Sequence, residues 1–335
     1  MTYTIADLLA RAIAARASFF DARHESAFRL FNGFTEGWPT LAVDLYAQTL
    51  VLHDYSETPE ENQTVITTVQ EFYQSRLPWI SAVLLKTRNA KTPEARNGAL
   101  LSGEKLATKI LENDIWYSVA LQLNRDASLY LDTRNLRSWI RQNLGDQRVL
   151  NTFAYTGSLG VAAQAAGAAR VLHLDLNRSF LNVAKTSYTL NGFPINKTDF
   201  QTGDFWPLAS RMIRAEERFD CVLLDPPFFA STSKGMVDAK GNYARLINKV
   251  RPLIADGGRL VAVNNALFVS GSEFMKTLKT LCKDGYLEIE ELIPVAEDFT
   301  GDETTRAATE VTNPAPFNHS TKIAVLRVRR KDTQQ

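Results

Sequence analysis

The segment Leu223-Leu224-Asp225-Pro226-Pro227-Phe228-Phe229 carries the sharpest chemical signal in this 335-residue chain. Two successive prolines remove two backbone donors and stiffen the chain, so their carbonyls and the Asp225 carboxylate can be held as acceptors beside the ring of Phe228. Such a loop suits a flat, nitrogen-bearing base that stacks on the ring while its edge is hydrogen-bonded. A tightly packed Asp-Pro-Pro turn without chemistry is the alternative.

Three further segments pair an apolar run with a polar turn. Phe153-Ala154-Tyr155-Thr156-Gly157 precedes a helix-compatible stretch, and Gly157 can let backbone approach a ligand beside unsatisfied helix amides. It is no dinucleotide fingerprint, because Phe153 and Tyr155 stand where a bound pyrophosphate would need glycine. Asp175-Leu176 ends the next run, where a carboxylate can accept from ribose hydroxyls, although Asp175 and Asn177 could simply cap a helix. Gly203-Asp204-Phe205-Trp206 offers a carboxylate for an adenine amino group and aromatic surface for its ring; a helix cap is again the alternative.

Positioning these turns requires strands. Runs at 148–153, 170–175, 197–202, 219–225 and 259–264 alternate with helix-compatible segments such as 158–166 and 178–190, which predicts a doubly wound, mainly parallel α/β sheet. Two last strands, 286–293 and 321–328, are joined by a long polar segment expected to form a lid or substrate loop. Upstream, residues 5–20 have helical spacing, 28–53 read as an antiparallel meander, 62–76 as a helix, 79–86 as a strand and 87–103 as loop. The expected division is a smaller α+β domain at 1–115, a candidate RNA-binding module, followed by a catalytic domain at 116–335.

Composition narrows the classes. Hydrophobic residues make up 45% and charged residues 22%, the balance of a packed globular protein. With 38 Lys and Arg against 37 Asp and Glu, any nucleic-acid contact must come from local patches. Phe31, Trp38, Lys86, Arg88, Lys91 and Arg96 are candidates for stacking and phosphate contact. The two cysteines, Cys221 and Cys282, form no CxxC pair, and His24, His53, His173 and His319 lack metal-ligand spacing, so no metal is expected. The start lacks a signal-peptide pattern and no apolar run spans a bilayer, so a cytoplasmic location without membrane attachment is expected. Oligomeric state is not legible.

Asn151 to Gly157, Asp175, Asp204 and Asp225-Pro226-Pro227-Phe228 together resemble the motifs of class I S-adenosylmethionine (SAM)-dependent RNA methyltransferases. Phe31 to Tyr46 and Tyr130-Leu131-Asp132-Thr133-Arg134 resemble, more narrowly, the 23S rRNA methyltransferases that modify cytosine C5 or guanine N7. The resemblance implies a seven-stranded Rossmann-like sheet whose last strand is antiparallel, and rRNA or a ribosomal subunit as partner. It implies Tyr155, Thr156 and Gly157, with Phe153, around the methionine portion of SAM. It likewise implies Asp175 and Leu176 at the ribose, Asp204 and Phe205 at the adenine, Asp225 near the methyl, and Arg134 beside the cofactor. The family's cytosine enzymes begin with a PUA domain, for which the residues before Arg29 are too few, so substrate capture is expected to differ.

Cytosine C5 becomes nucleophilic only after a thiolate adds to the ring. Where the family's cytosine enzymes carry a cysteine after the fifth strand, this chain reads Val263-Asn264-Asn265-Ala266, and both cysteines are expected to be buried apolar residues. A purine nitrogen is therefore the expected acceptor, guanine N7 ahead because Asn264-Asn265 resembles that branch. Cytosine C5, or a DNA, protein-amide or small-amine substrate, are the alternatives, and a non-enzymatic RNA-binding module is a remoter one.

Overall fold

The computed structural model of the chain describes residues 3–232 and 235–330. They form two compact units: residues up to Leu131 together with Ala296–Glu310, and Asp132–Val295 with the rest from Val311 onward.

The first unit is built on a five-stranded sheet in the order β1 (Ala27–Asn32), β2 (Leu41–Tyr46), β3 (Thr49–Asp54), β4 (Ala82–Thr87), β5 (Ala99–Ser102). The meander is antiparallel as expected, while β4 runs parallel to β3. That return requires a crossover, supplied by α3 (Gln63–Arg76). Helix α1 (Ile5–Ala15) begins at a capping box in which Thr4 and Asp7 satisfy each other's backbone donors. A single turn, α2 (Gly33–Glu36), follows β1. Alternation sends Leu41, Val43, Leu45, Leu50, Leu52, Val83 and Leu85 to one core with Leu9 and Val69 of the helices. The opposite face carries buried polar residues, with Asp44 accepting from Arg29 at 2.8 Å and meeting His53 Nε2 at 3.0 Å. The expected loop at 87–103 instead contains α4 (Pro93–Asn97), started by the Thr92 cap, and β5.

Two differences concern the boundary. The hairpin β6 (Lys109–Glu112) and β7 (Ile115–Ser118) and the stretch to Leu131 belong to the first unit, so the division falls after Leu131 and not near residue 115. The cause is hydrogen bonding, Leu111 N to Glu25 O at 2.8 Å and Tyr46 Oη to Leu129 O at 2.8 Å. The polar segment expected to be a lid returns at 296–310 to the first unit. Asp298 accepts there from Arg29 N at 2.8 Å and from Arg16 Nη2 at 2.7 Å, and Asn32 donates to Phe299 O.

The second unit opens with α5 (Arg134–Asn143) and winds β8 (Arg148–Thr152), α6 (Ser158–Ala165), β9 (Arg170–Asp175), α7 (Arg178–Leu190), β10 (Phe200–Thr202), α8 (Phe205–Arg214) and β11 (Phe219–Leu224). A small hairpin, β12 (Phe229–Thr232) and β13 (Gly235–Asp238), precedes α9 (Tyr243–Val250), β14 (Ile254–Asn264), α10 (Gly271–Leu281), β15 (Leu287–Ile293) and β16 (Lys322–Val328). The seven-stranded order is β10-β9-β8-β11-β14-β16-β15, with β16 antiparallel to both neighbours. Leu150, Leu174, Leu224, Leu260 and Leu326 pack with Phe205, Leu246 and Phe274 of α8–α10. The α6 and α7 helices lie against β8 and β9, so both faces are covered and the expected doubly wound architecture is present. No described helix is long and apolar enough to cross a membrane.

Candidate functional site

Strand order reverses between β8 and β11, where Thr152 pairs with Leu224 in parallel register. A doubly wound sheet opens a crevice beyond the carboxyl ends at such a reversal. Both sharp sequence signals, 153–157 and 225–228, leave adjacent strands at that point.

The turn after β8 is held in an unusual conformation. Phe153 and Tyr155 have φ near +51°, a region that costs side chains energy, and Gly157 takes φ +80°. Asp175 stabilises it, since one carboxylate oxygen accepts from Tyr155 N at 2.8 Å and the other from Asn177 N at 2.8 Å. Burial raises its pKa above the usual carboxylate range against these donors. Gly157 packs so closely on α7 that an added Cβ would sit 2.4 Å from Ala184 Cβ, and one on Gly160 would meet the His173 ring at 2.2 Å. His173, buried and pushed down to about 3 by desolvation, is thus a neutral platform beneath α6, anchored to Tyr188 Oη at 3.0 Å. Thr156 is buried in the turn.

Leu176, beside Asp175, is 62% exposed, which leaves apolar surface at the sheet edge. Asp204 caps α8 by accepting from Trp206 N at 2.9 Å, so its capping role is present. Phe205 is buried and packs on Phe153 with ring centroids 4.7 Å apart, so it supports the turn from beneath and offers little open ring. Arg134 opens α5 at the same edge, because Asn135 bonds Pro294 O beyond β15 at 3.0 Å. An acidic residue after each of β9 and β10, a glycine turn before a helix amino end and an exposed leucine make a donor and acceptor set that fits a nucleoside with an amino-acid tail.

On the other side of the crevice Pro226 is buried, Pro227 exposed, and Phe228 and Phe229 are 46% and 57% exposed. Burial first, and then the Asp132 carboxylate, push Asp225 up to about 7. Asp132 is itself fixed by Thr321 Oγ1 at 2.7 Å. Behind the loop, buried Tyr243 donates toward Val263 O at 2.7 Å and Leu224 O at 3.2 Å, tying the ends of β14 and β11 together. Asn264 is also structural, donating to Ala239 O at 2.9 Å and accepting from Ala266 N, while Asn265 is exposed. Lys322 is fully buried and donates to Ala266 O and Val269 O, clamping a loop that exposes Leu267 and Phe268. His319 accepts from Thr321 N at 3.0 Å and so shapes this turn.

Sequence reading assigned no role to Asp132, Thr321, Tyr243 or Lys322, though Asp132 and Lys322 lie inside recognised segments. It also missed the β12–β13 hairpin, where Trp206 packs so tightly that a Cβ on Gly235 would lie 2.5 Å from its ring.

Neither thiol belongs to the crevice. Cys221 is buried inside β11 with its pKa pushed up to about 12 by burial, and Cys282 precedes β15 at the opposite edge. A cavity of about 580 Å³ at that far edge is lined by Asp256, Glu288, Glu290, Arg327 and Arg329, whose charges pair with one another. Three of the expected RNA contacts are corrected. Phe31 is core, Lys86 is buried with Nζ donating to Asn97 O and Asn124 O, and Arg88 pairs with Asp126 at 2.9 Å. Trp38 packs on the same core, Arg96 is half-buried and Lys91 is exposed.

Comparison with known proteins adds three findings. A family model described as S-adenosylmethionine-dependent methyltransferase matches residues 28–293. YwbD of Bacillus subtilis (strain 168), provisionally named a ribosomal RNA large subunit methyltransferase, is 30% identical over 87% of this chain and 73% of its own length. Ribosomal RNA large subunit methyltransferase I of Aeromonas salmonicida (strain A449) is 28% identical over 82% of this chain and 70% of its own. A crystal structure provisionally titled a methyltransferase, complexed with SAH, superposes with a TM-score of 0.84 at 20% identity, covering 98% of this chain and 83% of that one.

Proposed function

Because this chain belongs to the S-adenosylmethionine-dependent methyltransferase family, we propose that it methylates a base of large-subunit ribosomal RNA at the crevice between the β8 and β11 turns. The observation that carries the reading is the junction of the Asp175-braced turn with Asp225-Pro226-Pro227-Phe228 across the Thr152–Leu224 pair. Phe153, Tyr155, Thr156, Gly157 and Arg134 would hold the methionine end, Asp175 and Leu176 the ribose, and Asp204 with the α8 amino end the adenine. SAM supplies a methyl on a sulfonium carbon, an activated electrophile. The protein's part is to align the acceptor and exclude water. Phe228 offers a stacking face, and Asp225 with the proline carbonyls fixes the base edge. Ribosomal RNA as substrate rests on the names of the relatives.

The acceptor atom we propose is a purine nitrogen, because both thiols lie away from the crevice and C5 attack needs one beside the base. The relatives lend no support to guanine N7 in particular and fit cytosine C5 better, which makes C5 the second reading. One experiment separates them. Methyl-labelled SAM and unmodified rRNA are incubated with wild type and with a Cys221→Ala/Cys282→Ala variant, and the labelled nucleoside is identified by mass spectrometry. A methylated purine from both supports the nitrogen reading; 5-methylcytosine, lost in the variant, overturns it. Unlabelled RNA beside labelled DNA, protein or small amine would remove the ribosomal assignment.

A further inference from the structure

The first unit contains a second site, outside the crevice and formed by its own strands and turns. A cavity of about 320 Å³ lies where the turn before β1, the β2–β3 turn, Ser81 and the approach to β6 converge, with Arg23, His24, Glu25, Lys105, Lys109 and Trp116 in its wall. Its frame is rigid. Asp21 accepts from Arg23 N, Glu25 N and Ser26 N, Ala107 N donates to Thr49 Oγ1 at 2.8 Å, and Ser81 N to Gln48 O at 2.9 Å.

Within that frame His24 takes φ +55°, a costly conformation for a side chain, with its ring stacked on Trp79 at 4.0 Å. Among the described residues neither His24 Nδ1 nor Glu25 Oε2 has a hydrogen-bond partner, although both atoms are buried. Orphaned buried atoms are costly and normally satisfied by a ligand or ordered water. Around them Arg23, Lys105 and Lys109 are exposed, and the Lys109 ammonium sits 3.8 Å from the centre of the Trp116 ring. Three cations against one carboxylate suit a polyanion, and a cavity of this volume suits a unit the size of a nucleotide.

We propose that this cavity binds one nucleotide of a single-stranded segment of the substrate RNA, with its phosphates against Arg23, Lys105 and Lys109 and a ribose or base donor on Glu25. The proposal rests on RNA being the substrate. It replaces Lys86 and Arg88, which the fold uses internally, as the source of phosphate contact.

The test is binding of an unmodified large-subunit rRNA transcript at several salt concentrations to the full-length protein. Lys105→Ala/Lys109→Ala is compared with Lys276→Ala/Lys279→Ala, which removes equal charge from exposed positions on α10. SAH affinity serves as the folding control. Expected for the first variant are affinity weaker by about tenfold at low salt and a salt slope shallower by about 1, since each phosphate contact in a single strand contributes roughly 0.7. An affinity and slope equal to those of the α10 variant would overturn it, as would a loss confined to assembled subunits with naked RNA bound normally. Absence of RNA methylation by wild type would remove the proposed function, whereas RNA binding reads the cavity independently.

Discussion

On the β8–β10 side of the crevice, side-chain acceptors are directed at backbone. Asp175 bonds two amides, Asp204 caps α8, and the positive-φ residues of the intervening turn are held by these bonds and by close packing on α7. On the β11–β14 side Asp225 has been desolvated beside a second carboxylate, and Phe228, Phe229, Leu267 and Phe268 stand exposed. The first side is finished before anything binds. The second holds a desolvated carboxyl and open apolar surface, a combination that costs stability and becomes favourable only when a base covers it. Rigidity on one side and deferred satisfaction on the other suit a resident cofactor and a visiting substrate respectively.

Removing the Asp225 carboxyl should give the largest effect. Asp225→Ala is expected to lower kcat by about 10²- to 10⁴-fold, the range of a positioned acid or base, with SAH affinity within about threefold of wild type. An equal fall in SAH affinity, measured by calorimetry, would break the division between the two sides. Next comes Gly157→Ala, which puts a methyl against Ala184 at a left-handed position. It should cost about 1–3 kcal/mol in urea unfolding and weaken SAH by about tenfold or more. Smallest is a pH effect on stability. Asp225 holds its proton in the folded state up to about pH 7, whereas the unfolded chain releases it near 3.8, so its contribution is full below that value and lost as pH rises through about 7. Asp225→Asn escapes the loss, so its Tm should gain on wild type by a few degrees between pH 5 and pH 8. A constant Tm difference across that interval would show that the carboxyl is not desolvated.

Much of the rigid side was legible because its information is local. The run 170–175 coincides with β9, and Gly157 marked a turn that only glycine fills at that approach to α7. The substrate side was legible at Asp225-Pro226-Pro227-Phe228 but not beyond, because its other parts come from distant sequence. Asp132 is brought by α5 and Thr321 by the start of β16, and no spacing rule connects them. Lys86 misled for a related reason. A lysine is ordinarily a surface residue, yet here alternation along β4 sends it to a buried face where carbonyls await it. The hairpin at 229–238 went unread because its strands are four residues each, too short for a period to register.

The return of 296–310 to the first unit also sets a timetable. An emerging chain makes β1 to β5 early, but Arg29 N and Asn32 find their partners on Asp298 and Phe299 only after β15 has been synthesised. The amino-terminal unit is thus a clasp whose tongue arrives last, and its completion reports that nearly the whole catalytic unit has already left the ribosome.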